Sequence, residues 1–258
     1  MKKIILCATQ RCGSTLVVED IRNTGVLGQP KEWFLSWTAP KAQGRDWNKA
    51  LETVYERGRG PNGVFAVKLM ANQLFAVETA LASRATAQAA GEFAHIASEF
   101  EGAVWVWLRR RDIVAQAVSR LMARQTKINH ATDTPDDTHF VGNAMRGLDH
   151  DYNRDTIYNY AEILRIVTAI TLENFAWSQF FENNGITPIR FDYEDIIADP
   201  DMCHLDAMAT AIGLEDKPPR SPRKLVKLGN ARNRDWQARF MAQAAQNRYR
   251  LPKKRPPV

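Results

Sequence analysis

Short apolar runs alternate along this chain with longer stretches in which apolar residues recur every three or four positions. Residues 3–8 (Ile4-Ile5-Leu6-Cys7 at their centre) form an apolar run that ends at a turn-like Thr9-Gln10-Arg11-Cys12-Gly13. A run this short, with no polar alternation, reads as a strand buried on both faces. Ser14 stands where a helix cap belongs, Leu16, Val17, Val18 and Ile21 supply an apolar side, and Gly25 supplies the stop. Val64-Phe65-Ala66-Val67 predicts a second strand that ends ahead of Lys68, and residues 79–90 predict a helix. Residues 103–108, rich in Val and Trp, predict a third strand. A helix follows from Ile113 to about Gln125, with Val114, Val118 and Leu121 on one face. Ile163, Val167, Ile170, Trp177 and Phe181 keep helical spacing up to Gly185. Residues 189–191 give a fourth strand and residues 205–212 a further helix. Strands alternating with helices predict an α/β fold, a central parallel sheet flanked by helices.

Length and charge refine this picture. A chain of 258 residues, 45% hydrophobic, suits one large domain over residues 1–258. Residues 127–155 are polar and without period, the pattern of a lid or acceptor loop, and residues 251–258 read as a basic flexible tail. Cys7, Cys12 and Cys203 make neither a disulfide framework nor a zinc site, and the histidines show no metal spacing, so surface histidines and no metal are expected, with substrate contact as the other reading of His139 and His150 in the stretch at 127–155. No apolar stretch is long enough for a membrane span, and the first apolar run is too short for a signal peptide. A reduced, cytoplasmic setting follows as the default. The net charge is +6, yet from Lys217 onward there are thirteen Lys and Arg against one acid, Asp235. Such a stretch can be a solvated surface, a nucleic-acid tail or one wall of a site for a small polyanion.

Two motifs carry chemistry. The loop Thr9-Gln10-Arg11-Cys12-Gly13-Ser14-Thr15 joins a strand to a helix N-terminus. Free backbone N–H groups and the positive end of the helix dipole make such a loop an anion site. Arg11 adds charge, Gly13 allows close approach, and Ser14 and Thr15 add hydroxyls. It lacks the first Gly and the Lys of GxxxxGK[ST], and an ordinary βα turn remains the other reading. The second motif is Arg110 to Ser119. Arg109, Arg110 and Arg111 stand at a strand's carboxyl end, where ligands of open α/β sheets bind, and Arg forks onto phosphate oxygens. Gln116 and Ser119 are three apart on the helix that follows and share a face. Here the other reading is a charged loop with a solvated helix face. Two phosphate pockets imply a ligand phosphorylated at two places, which suits 3′-phosphoadenosine-5′-phosphosulfate (PAPS) better than ATP; no acidic pair stands out as a magnesium holder.

Thr-Gln-Arg-Cys-Gly-Ser-Thr-Leu at 9–16 resembles the 5′-phosphosulfate loop of sulfotransferases, and Arg110 through Ser119 resembles their 3′-phosphate motif. Phe191-Asp-Tyr-Glu-Asp-Ile-Ile-Ala-Asp-Pro200 resembles a segment of bacterial sulfotransferases. Gly25-Val26-Leu27-Gly28-Gln29-Pro30-Lys31-Glu32-Trp33-Phe34, Pro61-Asn62-Gly63-Val64 with Lys68-Leu69-Met70, and Gln116-Ala117-Val118-Ser119 are similar to the bacterial trehalose 2-sulfotransferase family. The resemblance runs from residue 3 to about residue 240, and as a set these motifs are specific to that family. It implies a P-loop-like sulfotransferase fold, PAPS as donor with PAP as product, a hydroxyl acceptor on a small carbohydrate, and a homodimer. It implies that Arg11, Cys12, Gly13, Ser14 and Thr15 hold the phosphosulfate, with Arg11 also catalytic. It gives the 3′-phosphate to Arg110, Ser119 and Gln116, joined by Arg232 because Lys227-Leu228-Gly229-Asn230-Ala231-Arg232 resembles a nucleotide-closing loop. Many sulfotransferases use a histidine base; none here lies in a comparable motif, and the resemblance gives that role to Glu32. Gln29, Trp33, Phe34 and Lys68 become acceptor-side candidates, although the aromatics suit a core role equally well and a lysine after a strand can be a surface one. Three positions depart from the family pattern: Cys12 replaces a usual Ser, Arg110 to Ser119 is one residue longer than the general spacing, and residues 41–60 with 127–155 match weakly. The competing classes are a small-molecule kinase and a non-catalytic nucleotide- or nucleic-acid-binding protein. No nucleic-acid-binding motif supports the last.

Overall fold

The computed structural model describes residues 1–39, 44–85, 91–133 and 144–248. In chain order the chain forms β1 (Lys3–Ala8), α1 (Ser14–Thr24), a 3-10 turn (Leu35–Thr38), α2 (Trp47–Gly58), β2 (Phe65–Met70) and a second 3-10 turn (Ala71–Gln73). Then come α3 (Leu74–Ala82), α4 (Ala94–Glu99), β3 (Val104–Arg109), α5 (Ile113–Thr126), β4 (His130–Thr132) and β5 (Ala144–Arg146). The remaining elements are α6 (Tyr160–Asn183), β6 (Ile189–Asp192), α7 (Tyr193–Ala198), α8 (Cys203–Ala211), β7 (Leu225–Val226) and α9 (Ala231–Arg248). These residues divide into two compact units: Met1–Arg111 with Ile170–Arg223, and Asp112–Ala169 with the residues from Lys224 on.

The first unit is an α/β sandwich. Its sheet has the order β2-β1-β3-β6, with every neighbouring pair parallel. The pleat sends alternate residues to opposite faces, and both faces are buried. Ile5, Cys7, Val67, Leu69, Trp105 and Trp107 enter one core together with Phe34, Trp37, Leu51, Val54, Trp177, Phe180 and Phe181. Ile4, Leu6, Ala8, Ala66, Met70, Val106 and Leu108 enter the other, against Val17, Val18 and Ile21 of α1 and Leu205 and Met208 of α8. Double burial is why β1 and β3, the two inner strands, carry apolar runs, while β6, at one edge, is only partly buried. Each Val, Leu, Ile, Phe or Met side chain among them contributes about 1.5–3 kcal/mol on leaving water. The buried indole Nε1 of Trp177 donates to the carbonyl of Ala8 at 3.1 Å, which fixes the end of β1 just before the Thr9–Gly13 turn.

Several boundaries differ from the sequence expectation. β2 runs on through Lys68 to Met70, because Lys68-Leu69-Met70 stay in register with Leu6-Cys7-Ala8 of β1. Lys68 is therefore a strand residue and shares the face of Ala66 and Met70, the face that α1 covers. The helix expected at 79–90 begins earlier, at Leu74, and ends at Ala82; residues 86–90 lie outside the described residues. Ser14 does not cap α1. The cap position is Gly13, at φ 94°, and Ser14 is the first helical residue. Gly25, at φ 68°, ends the helix as expected.

In the second unit α5 lies against α9, and a small sheet has the order β5-β4-β7, parallel between β4 and β5 and antiparallel between β4 and β7. The stretch at 127–155, read as irregular, thus contributes two short strands; residues 134–143 of it, His139 included, lie outside the described residues, as does the tail at 251–258. Gln125 brackets the Ile157 backbone with two hydrogen bonds, of 2.9 and 2.8 Å, and the ring of Tyr160 stacks on Phe240 at 5.0 Å. Among the described residues no helix is long and apolar enough to cross a membrane.

Candidate active site

The Thr9–Thr15 loop leaves the carboxyl end of β1, the strand second from one edge of the four-stranded parallel sheet. Its backbone is tightly wound. Arg11 adopts φ 65° and Gly13 φ 94°, with a reverse-turn bond from Cys12 N to Thr9 O at 3.4 Å. Two left-handed residues so close together turn the chain sharply into the N-terminus of α1, the geometry that gathers amides around an anion. A Cβ on Gly13 would overlap the ring of Tyr193. Close approach, together with φ, therefore demands glycine here. Cys12 is fully buried in the apolar core, and that burial pushes its thiol pKa up. Its side chain is a packing group, so any contribution of Cys12 to a ligand comes from its backbone.

Of the three arginines at the end of β3, only Arg110 turns toward this loop. Arg109 pairs with Asp192 at 3.1 Å, and Arg111 forks onto Asp195 with two bonds of 2.7 Å. Arg110 donates through Nη1 to the Arg11 carbonyl at 3.4 Å and lies over the Tyr193 ring, 5.0 Å from its centroid. Its buried Nε makes no hydrogen bond; the nearest carboxylate oxygen, on Glu194, is 4.0 Å away. An unsatisfied guanidinium donor beside a left-handed, amide-rich turn fits a phosphorylated ligand. The segment 192–195 thus sorts the arginines: two are closely paired with carboxylates, and the third lies on an aromatic ring with its carboxylate at 4.0 Å.

Glu32 lies beyond α1 on the turn before Leu35. Its Oε1 is 2.9 Å from the ammonium of Lys68, and its Oε2 accepts from Nε2 of Gln73 at 3.3 Å. The Lys68 ammonium also reaches Oγ1 of Thr15, 3.5 Å away. One cation thus stands between Glu32 and the Thr9–Thr15 loop. Lys68 is 6% exposed and the Glu32 side chain 33%, so the carboxylate is the member of the pair open to an incoming molecule. Lys68 is a buried partner of Glu32 and not a surface lysine.

The acceptor-side candidates separate. Trp33 is half-buried; its indole N–H bonds the Gln29 carbonyl at 3.0 Å, and the cations of Lys31 and Arg57 each lie 5.7 Å from its ring centre. Trp33 also lines a cavity of about 350 Å³ with Trp37, Arg45, Lys49 and Arg57. Phe34 is fully buried, edge-on to Trp37 at 4.8 Å, and belongs to the core. The Gln29 side chain accepts from Arg22 Nε at 3.2 Å, and its backbone N–H bonds Gly58 O at 2.9 Å, so Gln29 ties α1 to α2.

In the second unit Gln116 is buried on α5 and Ser119 half-buried. Arg232, in the first turn of α9, donates through Nη2 to the Thr156 carbonyl at 2.9 Å, and its buried Nε makes no hydrogen bond. Asn230 orders the turn before α9 by accepting from Arg232 N at 3.1 Å.

Three functional or supporting features were not singled out from the sequence. Gln73 and Tyr193 are contacts across long stretches of chain. The third corrects the surface reading of the histidines: His204 is buried, 3.1 Å from Asp20, which Arg223 grips with two bonds of 2.8 Å. Part of the basic C-terminal stretch is therefore paired with acids: Arg223 with the buried Asp20, and the exposed Arg220 with Asp206 at 2.6 Å. Among the described residues no group of three His, Cys, Asp or Glu could hold a metal ion.

A parallel sheet with a tightly wound turn leading into a helix at the carboxyl end of an inner strand fits the α/β proteins that take phosphorylated ligands. Comparison with known families carries this further: the profile of the Stf0 sulphotransferase family matches residues 3–243, and the chain belongs to that family. It is 28% identical to a trehalose 2-sulfotransferase of Mycobacterium tuberculosis, over 95% of this chain and 96% of that one. It is also 28% identical to a trehalose 2-sulfotransferase of Mycolicibacterium smegmatis, over 73% of this chain and 76% of that one. The kinase and nucleic-acid readings are displaced by this membership.

Proposed function

We propose that this protein transfers a sulfuryl group from PAPS to a hydroxyl of a small carbohydrate, with Glu32 taking the hydroxyl proton. The observation that carries the reading is the row Glu32, Lys68, Thr15, in which a carboxylate open to solvent is joined by one buried ammonium to the anion-binding turn. PAPS supplies an activated sulfuryl group whose leaving phosphate needs only charge stabilisation. In this reading the turn from Arg11 to Thr15 binds the 5′-phosphosulfate, and Arg11 balances charge that builds as the leaving group departs. Arg110, Gln116, Ser119 and Arg232 are assigned to the 3′-phosphate. The orphaned Nε atoms of Arg110 and Arg232 support that assignment. Glu32 accepts the proton as the hydroxyl oxygen attacks sulfur in line, and Trp33 offers an apolar face to a sugar ring. The family match spans both compact units, which supports their acting as one transferase domain. We also read the protein as a cytoplasmic homodimer, with exposed Leu172 and Phe175 on α6 as surface for the second copy.

The test is transfer of radiolabelled sulfuryl from PAPS to a panel of sugars that includes trehalose, with the product identified by mass spectrometry. Labelled sugar ester is expected. Calorimetry should show PAP binding without added metal. Absence of PAP binding overturns the donor assignment; PAP binding without transfer to any hydroxyl compound overturns the reaction. Light scattering that finds only monomer removes the dimer.

A further inference from the structure

Glu32 sits on an irregular turn, and a turn alone does not orient a carboxylate. Its position is borrowed from β2. The Lys68 N–H donates to Lys31 O at 3.0 Å and docks the backbone beside Glu32 onto the strand. The Lys68 ammonium then holds Oε1 at 2.9 Å. That leaves Oε2, which swings freely about the last side-chain torsion unless something else holds it. Gln73 does so. It is completely buried, on the 3-10 turn that ends β2. Its Oε1 accepts from Met70 N at 3.1 Å, so its amide nitrogen is the end left for Glu32 Oε2. A flipped amide would set N–H against N–H and oxygen against carboxylate, so the donor end has one allowed direction.

We propose that Gln73 is a positioning residue for the proton acceptor. This rests on the reading of Glu32 as base. With Oε1 held by Lys68 and Oε2 by Gln73, the carboxylate plane is fixed, and its remaining lone pairs point one way. In the transfer the acceptor oxygen bonds to sulfur, its proton passes to Glu32, and the sulfur–oxygen bond to the nucleotide phosphate breaks with its electron pair leaving on that phosphate. Gln73 keeps the lone pair that receives the proton in line with that attack. Being neutral, it orients the carboxylate without adding a second positive charge that would weaken it as a base.

A structural cap and a positioning residue differ in one respect: only the latter acts through Glu32. Purified full-length variants are assayed for labelled sulfuryl transfer from PAPS to trehalose, or to whichever sugar of the panel accepts, alongside PAP calorimetry and thermal melting. Gln73→Leu should lower kcat by a factor of about ten or more while leaving KM for PAPS and PAP affinity within about twofold. Gln73→Glu, which keeps an acceptor for Met70 N but sets a carboxylate against Glu32, should lower kcat at least as far, and it serves if Gln73→Leu folds poorly. In a Glu32→Gln background, Gln73→Leu should change the residual turnover by less than about twofold. Equal losses in both backgrounds, or wild-type kcat for both Gln73 variants, overturn the proposal. A wild-type protein that transfers sulfuryl while Glu32→Gln keeps full turnover overturns the base assignment and this proposal with it. A wild-type protein that transfers to no sugar overturns both as well.

Discussion

Gly13→Ala perturbs the Thr9–Thr15 turn at one atom. The residue stands at φ 94°, beyond the left-handed well that an L side chain tolerates, and entering that region costs about 1–2 kcal/mol for alanine. The added methyl would also overlap the Tyr193 ring, which carries the Arg110 guanidinium on its face. Moving the ring forfeits a cation–π contact worth about 0.5–2 kcal/mol. The two effects sum to roughly 1.5–4 kcal/mol, or a melting temperature lower by roughly 3–16 °C for a chain of this size. PAP affinity should fall by about tenfold or more, because Arg110 loses its support. Calorimetric melting and PAP titration of Gly13→Ala, Tyr193→Ala and the double variant separate the terms. In the Tyr193→Ala background the methyl has room, so Gly13→Ala should cost only the backbone term of about 1–2 kcal/mol. Wild-type melting and PAP affinity in Gly13→Ala, or an equal penalty in both backgrounds, would refute the argument that Tyr193 seals this turn.

Four further outcomes follow from the same geometry. Glu32→Gln should leave PAP affinity intact and lower turnover by about 10²–10⁴ in the labelled-sulfuryl assay. Lys68→Met should lower kcat by about tenfold or more, since Glu32 loses its fixed cation and Thr15 its neighbour. Arg110→Ala should weaken PAP by about 10–100-fold while barely changing a nucleotide without the 3′-phosphate, and calorimetry with both ligands checks it. Burial would raise the Asp20 pKa, but hydrogen bonds from His204 and Arg223 outweigh it and hold the carboxyl below its ordinary range. A depressed folded pKa means stability fully present above the ordinary carboxylate range and lost as pH falls below it. Asp20→Asn should therefore destabilise by about 3–5 kcal/mol near neutrality and flatten the acid limb of stability, read by urea unfolding at several pH values.

What the sequence showed were the features set by local pattern. The strands at 3–8 and 103–108 are nearly right because double burial writes itself as an apolar run. The Thr9–Thr15 loop was legible because strand, glycine and helix start occur in one stretch. The errors are equally local in cause. Lys68 seemed to end β2 because a charge breaks an apolar run, yet its partner Glu32 lies thirty-six residues away in sequence. Phe34 seemed available to a sugar because an aromatic after a helix serves core and site alike; only the ring contacts with Trp37 and Phe100 decide it. His204 was taken for a surface group because Asp20 and Arg223, its neighbours in space, stand far from it along the chain.

The C-terminal charge shows how a correct count can mislead. Thirteen cations against one acid suggested a solvated surface, a nucleic-acid tail or one wall of a polyanion site. Arg220 and Arg223 are instead bound to Asp206 and Asp20, both upstream in an acid-rich part of the chain. The asymmetry along the sequence is thus partly cancelled by folding, since the excess acids upstream take up some of the excess bases downstream. Lys68 follows the same logic in miniature. Its side of β2 is set by the pleat, so a one-residue slip of register would turn it from α1 toward the apolar Phe34 core. The apolar residues on both sides of it, Val67 and Leu69 in one core and Ala66 and Met70 in the other, make that slip costly. Hydrophobic packing of β2 therefore fixes the cation that joins Glu32 to the Thr9–Thr15 loop, and the geometry proposed for transfer takes its precision from the core.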